Sequence, residues 1–301
     1  MQFTKSKDIK VGLRRHLIGW MFLLPAILIY ALFLLIPIGE TILLSFFEWD
    51  GLNQPIFIGL ANYERLFTDR YFWLSLGHTL TWMVLGVLLT VGMAMMLAVL
   101  VEDGKVRGRQ FFRYIFFIPH IMSIAVAARI WTALYEPSYG LINSVLNLLG
   151  LESQARIWLG DPQVALPAII VAWAWHLFGF LFVLYVAGLQ GLNRELYDAA
   201  HVDGANGLQV FWHVTLPSLN RVHTMVLSLA IIASLNPFGV VRTMTGGGPF
   251  YATEVLPSLL YEQGLVQNRL GYASTTGVIL AIMTFVITLV FIRLREHVEE
   301  S

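Results

Sequence analysis

Cysteine is absent from the 301 residues, and charge is scarce, with Asp, Glu, Lys and Arg together at 13%. Without cysteine, disulfide frameworks, thiolate nucleophiles and Cys-ligated metal sites are excluded. A soluble domain carries about twice that charged fraction. The 19 basic and 19 acidic residues cancel, so the basic excess that binds nucleic acid is missing. Catalytic signatures are missing too. No Gly-x-x-x-x-Gly-Lys-Ser/Thr phosphate loop occurs: Gly104-Lys105 lacks the upstream glycine and the following hydroxyl, and Gly246 to Gly248 runs into Pro249. The eight histidines show no metal-ligand spacing, and neither His-Glu-x-x-His nor Gly-x-Ser-x-Gly is present. An enzyme in a bilayer needs a nucleophile, base or metal, and no such set is offered. The reading is a non-catalytic subunit.

What the chain does have is apolar length. Hydrophobic residues make up 57% and the mean hydropathy is +0.70. Crossing about 30 Å of hydrocarbon takes roughly 20 apolar residues at 1.5 Å each. Six runs qualify: Leu17 to Ile38, Leu76 to Val101, Phe111 to Leu134, Val164 to Leu189, Val222 to Val241, and Thr275 to Leu294. The first is too long for a signal-peptide core and no small-residue cleavage site follows it, so it is kept as a span. Pro25 and Pro37 are expected to kink it.

Orientation follows from Lys and Arg. Lys5, Lys7, Lys10, Arg14 and Arg15 precede span 1, and Lys105, Arg107, Arg109 and Arg113 separate spans 2 and 3. Arg194 and Arg221 lie between spans 4 and 5, and Arg293 and Arg295 end the chain. The opposite side holds Arg65, Arg70, Arg156, Arg242 and Arg269. The expectation is a cytoplasmic segment at residues 1–16, a membrane domain at 17–294 and a cytoplasmic tail at 295–301, with both termini inside. The outer connections from Glu48 to Ser75 and from Glu136 to Asp161 read as loops, the second with a short helix from Leu141 to Leu149.

One cytoplasmic segment, about 194–217, stands out. Asn193 is a plausible N-cap, Glu195 and Asp198 sit early in the helix, and Leu196, Ala199 and Ala200 recur at helical spacing. Gly204 and Gly207 then allow a turn, and a second helical piece runs from Leu208 to Val214, before Leu216-Pro217. An amphipathic helix on lipid headgroups is one reading. Such helices carry Lys or Arg on the polar face, and Glu195 to Leu219 contains neither. It carries Glu195, Asp198 and Asp203, which repel anionic lipid. A protein partner is the better account.

Asp198-Ala199-Ala200-His201-Val202-Asp203-Gly204-Ala205, then Phe211, then Leu216-Pro217, resembles the cytoplasmic EAA loop of binding-protein-dependent ABC importer permeases. Asp198 stands where that family usually has Glu. Thr245-Gly246-Gly247-Gly248-Pro249 and Leu270-Gly271-Tyr272-Ala273-Ser274 resemble the carbohydrate-type members, of the maltose-permease larger-partner kind. The likeness runs from about Phe22 to Leu294. It implies an all-α, polytopic protein of six transmembrane helices with the type I ABC importer (MetI-like) permease fold, in a bacterial or archaeal cytoplasmic membrane. It further implies a coupling helix in which Glu195, Asp198 and Asp203 anchor, Ala199, Ala200 and Ala205 pack closely, and Gly204 turns, with Phe211 and Pro217 completing the motif. The implied partners are a second homologous permease, forming a heterodimer, two ATPase subunits, an extracytoplasmic solute-binding protein and membrane lipid. ATP and Mg would sit on the ATPase subunits, so this chain itself would hold no cofactor.

Polar and aromatic residues inside spans are candidates for a pathway. Trp173, His176 and Phe180 share one face of span 4, where aromatic rings can stack on sugar and His176 can bond a hydroxyl. Ordinary bundle packing is the other reading. In span 5, Pro237 leaves carbonyls free, and Asn236, Gly239 and Thr243 share a face, either toward solute or toward a neighbouring helix. Arg242 near the outer end either snorkels to water or meets an anionic solute. The function implied is import of a di- or oligosaccharide, with a glycerol phosphate or phosphodiester as the alternative. A secondary transporter would need a carboxylate deep in the bundle, and the only acid within a span is Glu40, near a boundary.

Overall fold

Backbone N–H and C=O groups in hydrocarbon find no water, so apolar runs of this length close their hydrogen bonds within helices. The computed structural model describes residues 20–102 and 106–300, with side chains as far as Arg295. The basic N-terminal residues counted above, together with Lys105, lie outside the described residues.

Four continuous helices are long and apolar enough to cross a membrane: α1 (Trp20–Leu44), α3 (Arg70–Glu102), α7 (Ala165–Gln190) and α13 (Leu270–Glu300). Between them lie α2 (Ala61–Thr68), α4 (Arg109–Ile121), α5 (Ile124–Leu134), α6 (Leu141–Leu148), α8 (Arg194–Val202), α9 (Gly207–Ser218), α10 (Asn220–Ser234), α11 (Phe238–Met244) and α12 (Leu256–Tyr261). Two further pairs are long and apolar enough only when taken together, each a broken span or a re-entrant segment: α4 and α5 meet at 99°, and α9 and α10 at 76°. Counting each pair as one span reaches six.

The expected span 3 is therefore two helices. The expected span 5 is cut at Leu235-Asn236-Pro237, because Pro237 offers no N–H and α10 ends at Ser234. Helix α1 runs through both of its prolines, with a π-helical stretch at Ala31–Leu35 just before Pro37.

The described residues fall into two compact units. One holds the residues up to Leu66 with Gln263–Val278. Here the expected loop after Glu48 forms a two-stranded antiparallel hairpin, β1 (Phe47–Glu48) with β2 (Ile56–Phe57), pairing Phe47 with Phe57 and Glu48 with Ile56. Strands of two residues are too short to leave an alternation in the sequence. The Asp50 carboxylate closes the turn, accepting from the N–H groups of Leu52 and Asn53 at 2.9 and 2.8 Å. Those bonds hold its pKa below the ordinary carboxylate value. Buried Asn62 donates to the carbonyls of Ser45 and Phe47 at 3.1 and 2.8 Å. The start of α13 lies so close that a Cβ on Gly271 would strike the Phe47 carbonyl. That contact explains the glycine in Leu270-Gly271-Tyr272.

The second unit, Phe67–Glu262 with the described part of Ile279–Ser301, is organised around α7. Small residues let its neighbours approach, as membrane bundles require. A Cβ on Gly179 would collide with the Phe116 carbonyl of α4, and one on Gly188 would press on Val222 and Leu219. Gly86 of α3 leaves room for the Trp173 ring, which meets Trp82 edge-on at 5.9 Å. Tyr135 closes the far end, its hydroxyl donating to the Ala168 carbonyl at 3.0 Å.

Candidate functional site: a docking loop and two broken spans

Helix α8 begins where the sequence places it. The Asn193 side chain accepts from the Glu195 N–H at 3.0 Å, satisfying one orphan donor of the first turn. It ends in a Schellman motif: the Ala205 N–H donates to the Ala200 carbonyl at 2.9 Å, and the Gly204 N–H to that of His201 at 3.1 Å. Gly204 stands at φ +79° with nothing near its missing Cβ. Its requirement is conformational rather than steric. A reciprocal Asn206–Gln209 capping box then starts α9, at 2.8 and 3.0 Å. That Asn-x-x-Gln signal was readable in the sequence and was missed.

One side of α8 is fastened and the other is open. Tyr197 donates to Thr215 of α9 at 3.1 Å, and Thr215 is buried. Asp198, Ala199, Asp203 and Gly204 are exposed, as are Glu195 and Pro217, while Ala200, Ala205 and Phe211 are half-buried. Apolar side chains stand out beside the acids: Val202 is 87% exposed, Leu208 69%, Trp212 57% and Leu196 49%. Exposed apolar side chains beside carboxylates have the composition of a contact surface. Of these four, sequence reasoning had selected Leu196 alone.

Behind the loop, polar pairs join three helices. Tyr185 of α7 and His223 of α10 share a hydrogen bond of 2.5 Å, and Arg295 of α13 donates to Asn220 of α10 at 3.1 Å. These residues also went unselected, although a Tyr, a His and an Arg near span ends are visible signals.

The span 4 stripe divides in two. Trp173 is 6% exposed and belongs to the packed core between α3 and α7. His176 and Phe180 are half-buried at the break between α4 and α5. His176 Nε2 donates to the Met122 carbonyl at 3.0 Å, supplying a partner that the broken helix leaves out. Phe180 stacks on His120 with centroids 5.0 Å apart and planes 20° from parallel. His120 thus joins the two expected residues in one aromatic cluster; as a histidine inside span 3, it could have been found by the same test.

In span 5, Asn236 is exposed at the break, and Gly239 approaches Ile124 of α5 so closely that a Cβ would stand 3.0 Å from it. Thr243 donates to the Gly239 carbonyl of its own helix at 2.7 Å. Arg242 is exposed and has neighbours on two sides. It lies 3.8 Å from the Glu262 carboxylate and 4.6 Å over the Tyr261 ring.

The Thr-Gly-Gly-Gly-Pro loop folds on itself. Thr253 donates to the Gly248 carbonyl and meets the Thr245 hydroxyl, both at 2.7 Å, and Gly246 and Gly247 have φ of +63° and +93°. Glu254 is 3% exposed, with its Oε2 in the space a Gly247 side chain would need. Burial raises the Glu254 pKa, and the nearby Glu262 carboxylate raises it further, against the lowering effects of Ser258 and Arg242.

Known proteins share this sequence and this fold. A family model described as the binding-protein-dependent transport system inner membrane component matches residues 91–301. The probable ABC transporter permease protein YurN of Bacillus subtilis is 35% identical over 278 residues, 92% of this chain and 95% of its own length. The diacetylchitobiose uptake system permease protein NgcF of Streptomyces coelicolor is 33% identical, over 88% of this chain and 78% of its own. In the solved bacterial alginate ABC transporter in complex with alginate pentasaccharide-bound periplasmic protein, one chain superposes with a TM-score of 0.82 at 26% identity, covering 97% of each chain.

Proposed function

The chain belongs to the family of binding-protein-dependent transport system inner membrane components, and from that premise we propose that this permease subunit imports a di- or oligosaccharide, driven by separate ATPase chains. The observation that carries the coupling half is the open face of α8, where Asp198, Asp203, Ala199 and Val202 are all exposed. The sugar half is supported by relatives named for diacetylchitobiose and alginate. Arg242, the residue that favoured a phosphate ester, is engaged by Glu262 and Tyr261. A phosphate ester stays the second reading, supported by a relative named for sn-glycerol-3-phosphate.

In this reading the chain is non-catalytic, ATP and Mg sit on two partner ATPases, and a second permease completes the route. Both termini and α8 face the cytoplasm, and a solute-binding protein delivers from outside. Closure of the ATPases moves α8, and Tyr197–Thr215 carries that motion into α9. Leu219 then turns the chain into α10, which is tied to α7 by Tyr185–His223 and to α13 by Asn220–Arg295. A push on α8 thereby reaches spans 4, 5 and 6 together. Opening at the α4–α5 and α10–α11 breaks would present His176, Phe180, His120 and Asn236 to the solute.

Uptake and ATP hydrolysis measured together in proteoliposomes test this. Ala199→Lys and Gly204→Lys should each cut uptake per ATP at least about tenfold, as for a blocked interface centre. Gly204→Asn tolerates the left-handed conformation and should retain coupling. Unchanged uptake in Ala199→Lys would overturn the docking assignment.

A further inference from the structure

Beneath the docking loop lies a half-enclosed cavity of about 800 Å³ that the transport cycle described above does not use. Its walls come from the ends of α3 and α7, from α4, and from the inner sides of α8 and α9. Among the described residues, three arginines line it, Arg109, Arg113 and Arg194, against one carboxylate, Glu102. That carboxylate is already committed: Arg113 donates to it at 2.5 Å. Gln190 adds its amide oxygen to Arg113 in the orientation that satisfies both groups. Among the described residues, Arg109 and Arg194 have no carboxylate partner, and the Arg113 Nε–H has no acceptor. His201 donates through Nδ1 to the Tyr197 carbonyl at 2.6 Å, which leaves its Nε2 for the cavity it lines.

We propose that this cavity is an anion site for a phosphate ester. Excess positive charge gathered in a partly closed space repels itself, and an anion carrying between one and two charges relieves it. Arginine forks match phosphate oxygens bidentately and are weakly hydrated, so they give up water readily for that ligand. A lone carboxylate would fill little of such a volume. The floor is apolar, with Val99 and Leu189, so the site suits a phosphate joined to an organic body. Two sources supply that chemistry: the headgroup of an anionic phospholipid, or a soluble phosphorylated compound. Either one would tie α8, through Arg194 and His201, to α4, through Arg109. It would set how stiffly the docking loop is held. That consequence for coupling rests on the proposed function; the binding site itself does not.

The test uses the transporter purified in mild detergent with its partner subunits. One arm counts bound phosphatidylglycerol by native mass spectrometry after exchange through mixed micelles. The other titrates inorganic pyrophosphate by calorimetry. Arg109→Gln/Arg194→Gln should weaken whichever probe binds by about 20-fold, taking the usual contribution of each arginine to anion attraction. Arg109→Lys/Arg194→Lys keeps the charges and should restore most of the binding, which separates anion recognition from misfolding. Arg129→Gln, on α5 and outside the cavity, should change neither arm. Loss in the lipid arm identifies a headgroup site, and loss in the pyrophosphate arm a soluble ligand. The proposal is overturned if wild type binds neither probe, or if the double Gln variant binds as wild type does. Uptake per ATP keeps the two readings apart. If Ala199→Lys leaves coupling intact while the Gln variant loses its anion, the docking reading fails and the site stands; the reverse pattern removes the site alone.

Discussion

Helices α1 and α7 are both apolar along their whole length, yet they live in opposite surroundings. Fifteen of the 26 residues of α7 are buried by protein, and none of α1 is. Hydrophobicity does not make the difference, because α1 is the more apolar of the two. In lipid a leucine gains nothing by leaving one oily neighbour for another, so packing is decided by where backbones can approach. Helix α7 supplies that with Ala168, Ala172, Gly179 and Gly188, the last two in contact with a carbonyl of α4 and side chains at the start of α10. Helix α1 has Gly39, with nothing within 4 Å of it. On the proposed function, the open length of α1 is left for lipid or for the second permease.

The largest effect should come from adding bulk to both helices. Gly179→Leu drives a side chain into the Phe116 backbone, and overpacking of that kind costs about 3 kcal/mol or more. Thermal unfolding in detergent should show a large drop in midpoint, or no folded protein by size exclusion. Gly39→Leu should stay within about 0.5 kcal/mol of wild type. If Gly39→Leu keeps the chain stable but lowers recovery of the second permease in a pull-down, α1 is the permease-facing helix. Equal destabilisation by both substitutions would break the comparison.

The same contrast explains what the sequence could reveal. Span 4 is found within one residue, Val164 to Leu189 against Ala165–Gln190, because its limits are polar or glycine. The α8 cap and the Gly204 turn are equally local and equally legible. The break at Met122-Ser123 is not. Pro119 sits inside α4, and the half-buried Met122 carbonyl is satisfied by His176 from another helix, 54 positions away. The span 4 stripe divides for a related reason. Helical spacing gives a shared face, but only Gly86 of α3 decides that Trp173 fills a gap while Phe180 meets His120. Arg242 was readable as a cation near a span end, and its engagement by Glu262, 20 positions on, was not.

A site that is as buried as α7 but polar sharpens the comparison further. Glu254 is held among Gly247, Ser258 and the α3 residue His78, whose ring donates to the Glu254 carbonyl at 2.9 Å. Its pKa is raised, so the folded chain keeps the proton after the unfolded chain has lost it. Below the ordinary carboxylate pKa both states are protonated and the group is neutral in the balance. As pH rises from there toward the raised value, stability falls by up to about 1.4 kcal/mol per pH unit, and it then levels off. Glu254→Gln should abolish that slope, making the variant the more stable of the two at pH 8 and not at pH 4. Parallel pH profiles for the two proteins would mean that Glu254 ionises as freely in the folded chain as in the unfolded one.

The smallest effect belongs to α8, a short helix whose stability owes little to burial. None of its nine residues is buried, so the helix depends on its caps and on the single Tyr197–Thr215 bond. Asn193→Ala removes the N-cap and should cost about 1 kcal/mol, most of it local. Global unfolding should barely move, because α7 and its neighbours unfold without reference to α8. Hydrogen exchange at Glu195 to Ala199 should instead rise about fivefold for that loss. Asn193→Asp, which can still accept from the Glu195 N–H, should return exchange to normal. The coupling ratio should fall modestly in Asn193→Ala and recover in Asn193→Asp, because a surface that docks as a helix must first be one. If exchange rises and coupling does not change, the partner orders α8 on contact, and the preformed helix is not what the partner reads.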